Sequence, residues 1–247
     1  MEHGLQAEDN LELICHRIFG CDFVLRSPSL EEESGSKELA DILILVDDTI
    51  VIFQSKSLVM DIDTLDNIKF ERIRRKYNKA KKQINTTLNA QTRGVIAKAQ
   101  TPLGIEFEIP WNKIKRKIGI ITLNIRDNLY DNPDFRFQFP TLVENYKGIC
   151  VHTFILTDLW QMSKMLTTPA DFFHYVQARE KAFLKPNIIV GNELDFLAVF
   201  KKTTHNSKRP YQIHYSEFLL RQALGKASTA SLKKRLRTEK ISYFMAR

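Results

Sequence analysis

The sequence predicts an α/β fold in which helices cover both faces of a mixed central β-sheet. The pattern along the first half of the chain is helix, strand, strand, strand, helix, strand. Two of the strands, residues 42–46 and 50–53, are rich in β-branched residues and are separated by Asp47, Asp48 and Thr49, which is typical of a hairpin. Both runs are apolar at nearly every position instead of alternating. We therefore expect other elements to cover both faces of the sheet.

The first element is predicted to be a helix over residues 8–19. Leu11, Cys15 and Ile18 fall on one arc at helical spacing, and Glu12 lies at the edge of that arc. The helix therefore has one apolar face, with a carboxylate beside it.

The segments around the hairpin carry weaker patterns. Residues 22–26 are predicted to form a short strand, and the acidic run at residues 31–36 a polar loop. Further strands are predicted at residues 117–123 and 149–155, whereas residues 101–110 have the composition of an inserted loop or ribbon.

Two later helices are predicted from periodicity and capping. Residues 67–90 have an apolar stripe at helical spacing and a strongly basic outer surface. The stripe consists of Ile73, Tyr77, Ala80, Ile84 and Leu88. Thr168 is a typical N-cap, followed by Pro169 in the first turn, and predicts a helix that runs to about residue 183.

The charge distribution predicts two parts, an α/β domain at residues 1–200 and a basic helical extension at residues 201–247. The extension has 12 Lys and Arg against two acidic residues, a net charge of +10, whereas the domain has 25 against 27. A polar linker is predicted at residues 203–210, before short basic helices near residues 215–224 and 231–241. The basic part favours a polyanion partner, and a solvated pair of basic helices is the alternative.

Composition argues against several classes of protein. The sequence has no run of about 18 apolar residues that could cross a membrane, and its first residues lack the pattern of a signal peptide, so we expect a cytoplasmic protein without a membrane partner. Three cysteines without a CxxC pair predict reduced, apolar side chains. The histidines have no metal-ligand spacing, and His152 is interpreted as a core residue.

The hairpin predicts a polar cluster at its open end. If Asp47 and Asp48 form the turn, Asp41 lies opposite Gln54 with its side chain on the same face of the sheet. Lys56 follows two residues later and projects from that face too. Polar groups at the end of an otherwise apolar sheet must be paired or must bind something.

These residues resemble a known nuclease pattern. Glu38-Leu39-Ala40-Asp41, twelve intervening residues and Gln54-Ser55-Lys56 are similar to the motif of the PD-(D/E)xK nuclease superfamily. Glu12 matches the acidic residue often found on the first helix of that superfamily, and Gln83 is similar to a glutamine of several of its families. The resemblance covers residues 8–125 and implies a restriction-endonuclease-like αβββαβ core with a mixed central sheet flanked by helices.

The resemblance also implies an activity. It predicts hydrolysis of DNA phosphodiester bonds by an endo- or exonuclease that uses Mg²⁺, with Mn²⁺ as a substitute, in restriction, repair or mobile-element defence. The metal ligands that it implies are Asp41, Gln54, the Ser55 carbonyl and Glu12, and Lys56 orients the attacking water and stabilises charge on the phosphate. The residues implied to hold the nucleic-acid backbone are Gln83, Arg75, Lys79 and Lys82.

One departure from the motif leaves alternatives open. Gln54 stands where the family usually has Glu or Asp, and its amide oxygen is a neutral and weaker metal ligand. Asp61 or Asp63 could supply a displaced carboxylate. The chain could instead be a degenerate nucleic-acid-binding module, or a protein-interaction domain in which Asp41 and Lys56 form only an ion pair. The sequence is compatible with a homodimer or with a part in a multi-component system.

Overall fold

The computed structural model has a mixed α/β fold. It describes residues 2–26, 28–32, 35–62, 68–92, 97–100, 104, 106–125, 143–183 and 193–206. Within these ranges the α-helices are α1 Glu2–Phe19, α2 Phe70–Thr92, α3 Leu156–Ser163, α4 Pro169–Phe183 and α5 Glu193–Asn206. The two helices predicted near residues 215–224 and 231–241 lie outside the described residues. No helix in the described part is both long and apolar enough to cross a membrane.

The strands form two sheets. They are β1 Val24–Arg26, β2 Ser29–Glu32, β3 Gly35–Glu38, β4 Ile42–Val46, β5 Thr49–Ser57, β6 Ala97–Gln100, β7 Glu106–Glu108, β8 Arg116–Asn124, β9 Val143–Tyr146 and β10 Ile149–Ile155. The central sheet has the order β1-β4-β5-β8-β10-β9 and the second sheet the order β3-β2-β6-β7. In the central sheet β8 pairs in parallel with β5 and β10, and the outer pairs are antiparallel. The predicted mixed sheet is confirmed.

The predicted hairpin is confirmed, and so is its register. Ile42 pairs with Phe53 and Val46 with Thr49, which leaves Asp47 and Asp48 in the turn. Asp47 has φ 51°, a left-handed conformation that Asp tolerates better than most residues. The register fixes which side chains share a face up to the open end of the hairpin.

Both faces of the central sheet are covered, as the apolar strands predict. On one face, the predicted stripe of α2 packs against Ile50, Ile52 and Ile121. α2 approaches β8 so closely there that a Cβ atom at Gly119 would lie only 3.0 Å from the Ile84 side chain. On the other face, α1, α3, α4 and α5 pack against Val51 and the other strand residues whose side chains point to that face. The apolar core thus forms two layers, one on each side of the sheet.

The second sheet corrects one prediction and refines another. Residues 31–36 were predicted to be a polar loop, but residues 31 and 32 belong to β2 and residues 35 and 36 to β3, and these two strands pair antiparallel. The segment at 101–110 contains β7, which pairs with β6. The two insertions join where β2 pairs with β6 through Ser29–Lys98 and Leu30–Ala97. Glu and Gly are depleted in strands, so the polar run at residues 31–36 carries no strand pattern although it pairs locally.

Helix boundaries differ from the predictions at three places. α2 begins three residues later and ends two residues later than predicted. α1 begins at Glu2, earlier than predicted. α5 continues to Asn206, so the first residues of the predicted linker at 203–210 are helical instead. α5 itself was missed, although Phe196, Leu197 and Phe200 are buried and have helical spacing.

Candidate functional site at the open end of the hairpin

Asp41, Gln54 and Lys56 meet at the open end of the hairpin. The Ser55 backbone N–H donates a hydrogen bond of 2.5 Å to Asp41 Oδ2, and Lys56 Nζ lies 3.7 Å from the same oxygen. Lys56 Nζ also donates to Gln54 Oε1 at 3.1 Å. Asp41, Gln54 and Ser55 are buried. The structure therefore brings together the carboxylate, the amide and the ammonium that the hairpin register predicts.

Burial disfavours the charged forms of Asp41 and Lys56. Burial raises the pKa of Asp41, whereas the Lys56 ammonium and the Ser55 N–H lower it. Burial also lowers the pKa of Lys56, with the Asp41 carboxylate acting in the opposite direction and the Lys79 ammonium adding to the decrease. Each charge is therefore supported by its partner in a partly water-excluded site.

Glu8 of the first helix lies within electrostatic range of this site. Burial raises the pKa of Glu8, and the negative charges of Asp41 and Glu38 raise it further. Glu12, one turn along the helix, is instead paired with Arg26 Nη1 at 2.8 Å and with His16 Nε2 at 3.4 Å. The structure thus places Glu12 in ion pairs with Arg26 and His16.

Helical periodicity explains why Glu8 was missed. Residues four apart share a face but differ by about 6 Å along the helix axis. Periodicity therefore places Glu8 and Glu12 on the same face equally well. Only the packing of α1 on the sheet decides which of them reaches the end of the hairpin.

A row of side chains on α2 passes the site. Arg75, Lys79, Gln83 and Thr87 are spaced four apart and lie on one side of the helix. Thr87 donates a hydrogen bond to the Leu39 carbonyl, close to Asp41. Gln83 Oε1 is buried and, among the described residues, has no hydrogen-bond partner.

The three basic α2 residues that were predicted to bind the nucleic-acid backbone are at the helix surface. Arg75 and Lys82 are exposed, and Arg75 donates to the Glu71 carbonyl at 3.4 Å. Lys79 is exposed as well, but it is close enough to Lys56 to affect its pKa. Lys79 is therefore within electrostatic range of the site, and Arg75 and Lys82 lie on the same helix.

Asp61 forms ion pairs with two basic residues of α2. Its buried carboxylate pairs with Arg72 Nε at 3.0 Å and with the Lys76 ammonium. Lys76 Nζ also donates to the Ser57 carbonyl at 2.7 Å, which ties α2 to the end of β5. Asp61 therefore has a structural role, and Asp63 lies outside the described residues.

The side chains at the hairpin end have the oxygen chemistry that suits Mg²⁺. Asp41 and Glu8 offer carboxylate oxygens and Gln54 an amide oxygen, and Glu38 adds negative charge near Lys56. Mg²⁺ prefers hard oxygen ligands and keeps several waters. The described acidic side chains here do not form a group of three within 4.8 Å. Asp41, uncharged oxygens and water would therefore form most of the coordination sphere.

A second group of polar side chains lies on β10 and α4. Ligand atoms of Cys150, His152 and Glu180 are within 4.8 Å of one another, a spacing that could hold a metal ion. Arg179 Nη1 lies 3.1 Å from His152 Nδ1, and a guanidinium can only donate, so Nδ1 accepts. The proton of the neutral ring is then on Nε2, which donates to Glu180 Oε1 at 3.2 Å.

This hydrogen bonding disfavours a metal at the second group. A protonated Nε2 has no lone pair for an ion, and metal-bound histidines normally donate their other ring N–H to an acceptor. Burial, together with the Glu180 carboxylate, raises the pKa of the Cys150 thiol to about 12, so the thiol is protonated at neutral pH. We interpret the group as part of a buried structural network, in line with the prediction for His152.

The buried His152 predicts a dependence of stability on pH. Burial and the Arg179 charge lower the pKa of His152 from 6.5 to about 4. The unfolded chain binds this proton more tightly, so the contribution to stability is complete above pH 6.5 and is lost as pH falls towards 4. The loss is on the order of 3 kcal/mol in the free energy of unfolding.

Denaturant titrations from pH 7 to pH 4 measure this contribution. Glutamine can accept from Arg179 and donate to Glu180, so His152→Gln should lose less stability than the wild type over this range. His174→Gln, at an exposed position, is the control and should follow the wild type. Equal pH dependence of wild type and His152→Gln would show that His152 is not the titrating group.

The fold and the site together define a mixed α/β protein with a buried Asp–Lys pair at the end of its central sheet. No protein-family model matches the chain, and comparisons with curated proteins and with solved structures gave no match. The chemistry of the site is therefore the basis on which a function can be proposed.

Proposed function

We propose that the protein is a metal-dependent nuclease that hydrolyses phosphodiester bonds of DNA. The observation that carries the proposal is the meeting of Asp41, Gln54 and Lys56 at the end of the central sheet, next to a basic helix. A carboxylate that can hold a cation, an ammonium beside it and a basic surface together suit a phosphodiester substrate.

The arrangement of elements supports a restriction-endonuclease-like core. Without the insertions that form the second sheet, the chain order is α1, β1, β4, β5, α2, β8, which is αβββαβ. The first three of these strands are antiparallel neighbours, and β8 pairs in parallel with β5. α1 and α2 lie on opposite faces. This order agrees with the resemblance carried by the motif residues.

The proposal assigns a role to each side chain at the site. Asp41, Gln54 and the Ser55 carbonyl would hold the ion, with Glu8 taking the place on α1 that the resemblance gave to Glu12. A bound Mg²⁺ would lower the pKa of a water and offset charge on the phosphate. Lys56, already 3.7 Å from Asp41, would donate to a phosphate oxygen next to that carboxylate. Lys79, Gln83, Arg75 and Lys82 would hold the strand along α2.

A cleavage assay tests the proposal. Purified protein is given plasmid and single-stranded DNA with Mg²⁺, with Mn²⁺ or with EDTA. We expect cleavage only with a divalent ion and its loss in Lys56→Met. Lys115→Met is the matched control, because Lys115 pairs with Asp48 at the opposite end of the hairpin, at 3.3 Å.

A nucleic-acid-binding module without catalysis is the second candidate. It is favoured by the hydrogen bond between Lys56 and Gln54, because an amide that accepts from this ammonium is a neutral and partly occupied ligand. Salt-dependent DNA binding without cleavage in either divalent ion would favour this candidate. Absence of both cleavage and binding would contradict both proposals.

A further inference from the structure

The second sheet borders the site through Glu38. This residue ends β3, three residues before Asp41, and its charge acts on both Asp41 and Lys56. Cross-strand pairs connect Glu38 to Ser29, Ser29 to Lys98 and Lys98 to Glu108. Directly paired residues share one face of a sheet, so this row crosses the sheet on the face that carries Glu38.

This face is acidic. Glu106 pairs with Gln100 and lies two residues from Glu108, so the alternation of side chains places it on the same face. Glu38, Glu106 and Glu108 are exposed, and Lys98 is the base in the row. We call Glu38, Lys98, Glu106 and Glu108 the acidic face. Its net charge is opposite to that of the exposed surface of α2, on which Arg72, Arg74, Arg75, Lys79 and Lys82 lie.

The acidic face is near enough to the site to affect a nucleic acid bound there. Three strand spacings separate Glu38 from Glu108, about 14 Å along the row. The Debye length is about 10 Å at 0.1 M salt, so Glu106 and Glu108 would act on the part of a bound duplex that extends over the second sheet, and only weakly on the site itself. A polyanion at Asp41 and Lys56 would be attracted by the exposed basic side chains of α2 and repelled by Glu38, where the acidic face begins.

We propose, on the basis of the proposed function, that the substrate of this site is single-stranded DNA. A duplex carries a phosphate charge about every 1.7 Å along its axis, twice the density of one strand. One DNA strand can follow α2, where the exposed basic side chains lie. The second strand of a duplex centred on Lys56 would have to pass the acidic face, which disfavours duplex binding.

Charge reversal on the acidic face tests this inference. Binding of a labelled single strand and of the blunt duplex of the same sequence is measured in EDTA, so that no cleavage occurs. The wild type should prefer the single strand, and the preference should shrink as salt is raised from 50 to 300 mM. Glu106→Lys and Glu108→Lys should each increase duplex affinity by at least about 5-fold, with a much smaller change for the single strand.

The control is the same charge change away from the site. Asp22 is exposed and precedes β1 at the end of the sheet opposite Asp41, so Asp22→Lys should leave the preference unchanged. Equal binding of both forms by the wild type, or equal gains for both in Glu106→Lys and Glu108→Lys, would overturn the inference while leaving a nucleic-acid site. Absence of binding to either form, together with absence of cleavage in Mg²⁺ and in Mn²⁺, would overturn the proposed function with it.

Discussion

Replacement of Arg179 by methionine is expected to cost about 3 to 5 kcal/mol in the free energy of unfolding. The Arg179 side chain is completely buried, and its Nε and Nη2 donate to Glu193 at 2.9 to 3.1 Å. Nη2 also donates to the Thr153 carbonyl at 2.8 Å, and the guanidinium lies 4.1 Å from the centre of the Phe154 ring. Removal of the cation would leave the buried Glu193 carboxylate without its main partner.

Denaturant titration at pH 7 measures this loss, with Arg74→Met as the control. Arg74 forms an exposed ion pair with Glu71 on α2, and such pairs contribute at most about 1 kcal/mol. A change below about 1 kcal/mol in Arg179→Met would show that α4 and α5 do not depend on the buried pair. Arg179→Met combined with Glu193→Met removes both charges, so it should recover part of the loss.

Replacement of Asp41 by asparagine is expected to reduce cleavage by at least about 100-fold while leaving the fold intact. Asparagine keeps an oxygen that can accept from the Ser55 N–H, so the hydrogen bond at the strand end can persist. It removes the charge that would hold a cation and that supports Lys56. The loss should therefore appear in the rate of cleavage and not in the stability of the protein.

Rates under single-turnover conditions and denaturation midpoints of the same preparations separate the two effects. Asp48→Asn is the matched control, because Asp48 lies in the turn at the far end of the same hairpin. Cleavage by Asp41→Asn at the wild-type rate would exclude Asp41 from catalysis. A large loss of stability would indicate that the ion pair with Lys56 is structural.

The hairpin was predictable because its determinants are local. Its strands are adjacent in sequence, and the two-residue turn at Asp47 and Asp48 fixes the register. Once the register is fixed, Asp41 must lie opposite Gln54, with Lys56 beside them. This part of the site required no information about other elements.

The parts that were missed depend on contacts between distant segments. β2 pairs locally with β3, but its position in the second sheet depends on its pairing with β6, which comes after the long helix α2. Whether Glu8 or Glu12 lies nearer to Asp41 depends on where α1 lies along the sheet, which periodicity does not define. The partners of Arg179 come from β10 and α5. Residue types alone do not specify such pairings, because burial of a charge depends on which elements surround it.

Crystals grown with Mn²⁺ in place of Mg²⁺ test the central claim most directly. An anomalous difference map locates the ion without reference to activity, and Asp41→Asn crystals provide the comparison. We predict a peak within coordinating distance of the Asp41 carboxylate that is lost in Asp41→Asn. A map without a peak at Asp41, or with one only between Cys150, His152 and Glu180, would contradict the assignment of the hairpin end as the metal-dependent site.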